Sequence, residues 1–203
     1  MGCGESTPEA TIGEEYAASN LIQPGYTEYE NEFEKQLFMA INLCRYNPRS
    51  YVSAVKKCAA THELCKGMKT KELVAFLEAC DPMGCVTFDE QGNQACRQNN
   101  ATIIEANEDI PSKGGNVEVY QGLAGEDQVC AEYTMCQYMG DSAKEFIALE
   151  LILDWNREGE DLAQKSPVLD REVGRVGISN KAHKKTKNLI QILYVKVKVN
   201  NLD

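Results

Sequence analysis

The run FIALELILDW, residues 146–155, is apolar around most of its circumference. A helix of that kind has no face to offer water and must lie deep inside a folded domain. Its start is well marked. Ser142 and Glu145 have the spacing of a capping box, in which hydroxyl and carboxylate each bond the other residue's free backbone N–H. After this helix the period changes. The segments GRVGIS and NLIQILYVKVKV are rich in Val and Ile, and Val195, Val197 and Val199 alternate with Lys196 and Lys198 as a half-buried strand requires. The polar NKAHKKTKN between them reads as a hairpin loop, and LIQILYV as an internal strand of a sheet.

Upstream, the pattern is helical. Phe33, Leu37, Ala40, Ile41 and Cys44 recur at steps of three and four, and Asn47-Pro48 ends that helix. A shorter helix carries Tyr51, Val52 and Val55. Leu73, Phe76, Leu77 and Cys80 share the face of another, which stops at Asp81-Pro82. A further helix has Cys96, Asn100, Ile103 and Ile104 along one side. The first residues, by contrast, mix Gly, Pro, Ser, Thr and Glu with little periodicity. The expected organisation is an irregular acidic arm over residues 1–29 and one layered α+β domain over residues 30–203.

Composition sets the class of partner. With 43% hydrophobic and 26% charged residues in 203, the chain has the balance of a globular protein. Its formal charge of −10 argues against nucleic acid, which needs a basic footprint. Eight of the glutamates fall within residues 1–34, which contain no Lys or Arg, so anionic lipid headgroups would repel the arm. No apolar run reaches a membrane span, and the N-terminus lacks the basic-then-apolar layout of a signal peptide. A cytoplasmic location is the expectation. In that setting the nine cysteines read as free thiols, with no C-x-x-C to suggest zinc.

The ordered segments FMAINLCRYNPRSYV, ELVAFLEACDP and AKEFIALELILDW, followed by VGRVGISNKAH and IQILYV, resemble the CAP superfamily. These are the cysteine-rich secretory, antigen-five and pathogenesis-related proteins with an SCP domain. The similarity is greatest to their microbial and protist branch and covers roughly residues 30–199. The resemblance implies a three-layer α-β-α sandwich. It also implies a cleft lined by two His and two acidic residues, which in some members holds a divalent metal.

This chain departs from that tetrad. One acid falls at Glu132 or, less well, at Glu126, and the other at Asp154. Gln164 stands where one histidine belongs, and EDIPSKGGN, where the other belongs, contains none. His62 and His183 lie in loops and read as solvated. Two carboxylates without imidazoles make a poor zinc site, and no nucleophile–base pair is evident. The vestigial positions Glu132, Asp154 and Gln164 therefore imply no enzyme, no metal and no cofactor.

The chain opens MGCGES, which carries a different kind of signal. Gly2 and Ser6 fit N-myristoylation after removal of Met1, and Cys3 sits where a second, reversible acyl chain is often added. The CAP superfamily includes an intracellular, myristoylated, Golgi-associated member. The expected function is a non-enzymatic binding or scaffold protein, with protein partners and acyl chains at Gly2 and Cys3 holding it to the cytosolic face of a membrane. The alternatives are a structural subunit of a cytoskeletal or ciliary assembly and, ranked last, a metal-assisted hydrolase.

Overall fold

A computed structural model describes residues 10–25, 28–106, 117–124, 129–157 and 166–196. They form a mixed α+β fold. The helices are α1 (Ile12–Ala18), α2 (Glu32–Tyr46), α3 (Val52–Thr61), α4 (Lys71–Ala79), α5 (Glu90–Ala106), α6 (Val117–Ala124) and α7 (Ala143–Trp155). Three long strands and one short strand make the sheet: β1 (Thr87–Phe88), β2 (Val129–Tyr138), β3 (Val173–His183) and β4 (Thr186–Lys196). Their order is β1-β3-β4-β2, with β1 parallel to β3 and the other pairs antiparallel. The segment LIQILYV thus lies in β4, between two neighbours.

Alternation along β4 divides the core. Ile190, Ile192 and Tyr194 join the main cluster with α2, α3 and α7, whereas Leu193 and Val195 pack with Ala95, Cys96 and Tyr120 of α5 and α6. On the α5 face Gln191 donates to Asn100 Oδ1 at 2.6 Å and accepts from Asn99 Nδ2 at 2.9 Å, and Asn100 also donates to Ser179. These buried amides satisfy one another, as a low-dielectric layer requires. Where α5 meets β3 the contact is backbone on backbone. A Cβ at Gly177 would come within 2.2 Å of the Gly92 carbonyl carbon, so no larger residue fits without moving the helix.

Because β1 is only two residues long, β3 has an edge that the sheet does not pair. Side chains of α5, of α2 and of the α2 N-cap Asn31 close it. Asn93 Oδ1 accepts the Ile178 N–H, Glu34 Oε1 accepts the Asn180 N–H at 2.7 Å, and Asn31 Nδ2 donates to the Asn180 carbonyl at 3.0 Å. An edge capped in this way offers no template for a foreign strand.

Arg45, near the end of α2, is 1% exposed and ties the Gly84 loop, the 168–170 turn and the start of β3 to the helix. Its Nε donates to Gly84 O at 2.7 Å, Nη1 to Val168 O at 2.9 Å and Asp170 O at 2.8 Å, and Nη2 to Val173 O at 2.9 Å.

Several expectations need correction. The arm is not irregular throughout: residues 12–18 form α1, started by a complete capping box between Thr11 and Glu14. Tyr16 buries its ring against the domain and donates its hydroxyl to Ile22 O, and Glu15 pairs with Lys144 of α7 at 2.8 Å. At α7 only half of the expected box forms. Ser142 accepts from the Glu145 N–H, while the Glu145 carboxylate turns to Lys57. The hairpin loop shrinks to the turn at Lys184 and Lys185, because the ladder of β3 and β4 continues through the polar residues. Ile104, expected on the apolar side of α5, is exposed. Val197 and Val199 lie outside the described residues.

Candidate functional site

Helix α7 carries two buried acids, Glu150 and Asp154, one turn apart on a single face. Each is 4% exposed. That face meets β4, where Tyr194 donates its hydroxyl to Glu150 Oε2 at 3.5 Å. Asp154 has its own partners: Ser166 Oγ donates to Oδ2 at 2.9 Å, and Arg157 Nη2 lies 2.8 Å from Oδ1. Across the β2–β4 ladder the register sets Glu132 opposite Tyr194. Two acids predicted from sequence therefore belong to elements joined through one tyrosine.

The electrostatics of the pair follow from its burial. The Glu150 carboxyl is pushed well above the usual range, first by desolvation and then by the nearby Asp154 carboxylate, while the Tyr194 hydroxyl bond opposes the shift. The Tyr194 hydroxyl is raised too, first by desolvation and then by the Glu150 and Asp154 carboxylates. Burial thus favours the protonated form of Glu150 more in the fold than in the unfolded chain. Its Oε1 has no hydrogen-bond partner among the described residues. Two surface clefts, of about 520 and 430 Å³, lie at the α1–α3–α7 corner and beside Asp170; neither is lined by Glu150 or Asp154.

Chemically the cluster is inward-facing. Asp154 is bonded to a hydroxyl and a guanidinium, and Glu150 accepts the Tyr194 hydroxyl. Among the described residues, no three His, Cys, Asp or Glu side chains group as a metal site requires. His62 accepts the Leu64 N–H and His183 accepts the Lys185 N–H, each within its own turn. Gln164, Glu126, Gly2, Cys3 and Ser6 lie outside the described residues. The sequence reading missed Glu150, although a glutamate inside an all-round apolar helix is itself the signal that could have found it. Compared with family models, curated proteins and solved structures, the chain gives no significant match.

Proposed function

We propose that this chain is a non-enzymatic binding or scaffold domain of the CAP type, a three-layer α-β-α sandwich. Acyl chains on Gly2 and Cys3 hold it to the cytosolic face of a membrane, and it serves there as a platform for protein partners. The docking of α1 carries this reading. Tyr16 and the Glu15–Lys144 pair root the arm on the domain, with nine residues from Gly2 through Ala10. Nine residues span at most about 30 Å, so an anchored Gly2 holds the domain close to the bilayer.

Two further observations support it. No helix among the described residues is long and apolar enough to cross a membrane, so attachment of this kind rests on the lipid chains. The helix-α7 acids are spent on internal bonds, which favours binding over chemistry.

The test is fractionation of cells expressing the full chain. A single myristoyl chain gives only marginal binding, with an association constant of about 10⁴ M⁻¹, so the second chain decides residence. The parent should sediment with membranes. Cys3→Ser should leave most of the protein soluble, and Gly2→Ala should remove both modifications and the membrane fraction with them. A Gly2→Ala protein that still sediments like the parent rules the tether out.

A further inference from the structure

Cys58 lies in the last turn of α3, and Cys65 closes the 3₁₀ turn Glu63–Cys65 that follows. The chain reverses between them through two backbone bonds, His62 N–H to Cys58 O and Cys65 N–H to His62 O, and a third, Met68 N–H to Cys65 O, follows. Gly67, at φ 80°, supplies the left-handed residue that completes the turn. The reversal points both thiols into the main core, where their sulfurs sit 3.9 Å apart, at 6% and 2% exposure. Six residues separate them in sequence.

We propose that Cys58 and Cys65 form a reversible disulfide site, closed by a hydroperoxide and reopened by thiol reductants. Bond formation needs the sulfurs to approach to about 2.05 Å. The intervening turn can supply that movement, because Thr61, Glu63, Leu64, Lys66 and Gly67 are all exposed and no strand is disturbed. A hydroperoxide such as hydrogen peroxide is close to water in size and suits so enclosed a pair.

Cys65 attacks first. Burial raises both thiols, Cys58 to about 12, but the Cys58 S–H bond pulls Cys65 the other way. The Cys65 thiolate forms an S–O bond as the peroxide O–O bond breaks, and the departing hydroxide takes a proton to become water. The Cys58 sulfur then attacks the sulfenic sulfur. An S–S bond forms, the S–O bond breaks, and a second water leaves with the Cys58 proton. Two thiols and one hydrogen peroxide become one disulfide and two waters. The scarcity of thiolate makes the first step slow. The second is fast, since its nucleophile is already in place.

The sequence makes the test direct. Trypsin cuts after Lys57 and after Lys66, so residues 58–66 leave as one peptide holding these two cysteines and no other. The full chain is treated with hydrogen peroxide without denaturant, then unfolded, alkylated with N-ethylmaleimide and digested. The expected peptide is lighter than the dithiol by two hydrogens and carries no alkyl group in most copies. Dithiothreitol before alkylation should restore two alkyl groups. In Cys58→Ser, Cys65 should progress to the sulfinic acid instead, for want of a resolving thiol. A treated parent peptide bearing two alkyl groups, or two separate sulfinic acids, overturns the proposal.

Discussion

Arg45→Met is expected to cost on the order of 3–5 kcal/mol of folding free energy, the largest loss from any single side chain in this account. Methionine keeps the apolar stem but removes donors to Gly84, Val168, Asp170 and Val173, whose carbonyls then lose their partner. Each deserted buried carbonyl costs about 1–3 kcal/mol, reduced where water can reach it. Burial lowers the pKa of the guanidinium, yet no protein environment removes its proton. Arg45→Lys should recover little, because one ammonium cannot serve three diverging segments. Urea unfolding of the parent and both variants measures this. An Arg45→Met protein within about 1 kcal/mol of the parent would show that the loops hold themselves.

Glu150→Gln is expected to act the other way and to make the protein more stable at neutral pH. The folded state raises the Glu150 pKa, chiefly by desolvation, so it binds the proton more tightly than the unfolded chain does. Stability is therefore greatest below the ordinary glutamate pKa. As pH rises past that value it falls by about 1.4 kcal/mol per pH unit, until the folded-state pKa is reached. Glutamine copies the neutral acid in shape and does not titrate. The variant should exceed the parent near pH 8, and the gap should narrow as the pH falls toward the ordinary glutamate pKa. Unfolding across that range decides it. A gap that is constant, or that reverses at high pH, would mean that Glu150 is charged in the fold.

What was legible in the sequence was whatever depends on local periodicity. The apolar run of α7, the Leu73 and Leu77 face of α4 and the buried Val195 beside half-exposed Lys196 all follow from it. Strand β2 escaped because VCAEYTMCQY has no clean alternation and takes its identity from pairing with β4, a contact far away in sequence. Helix α1 escaped because seven residues show too little period. Its signal was the Thr11–Glu14 box, identical in logic to the one recognised at Ser142. The lengthened hairpin reflects hydrogen-bond register, which polar side chains do not oppose at an exposed strand end.

Of the candidate cluster, the sequence reading names Asp154 and Glu132 but not Glu150: Asp154 lies one turn from Glu150 on the same helix, and Glu132 is related to both only through the register of Tyr194. Arg45 and Glu150 share one signature, a lone charge inside an apolar stretch. Such a residue is retained because it bonds something buried, and the sequence does not say what.

The central claim is that this fold is held at a membrane by its own N-terminus, and the intact mass of that N-terminus tests it most directly. Mass spectrometry of the protein from its native cell should find Met1 removed, Gly2 carrying a myristoyl group and Cys3 a thioester-linked acyl chain that hydroxylamine releases. A retained Met1, or a free Gly2 amine, would contradict the tether and leave the arm to act as an unmodified part of an assembly.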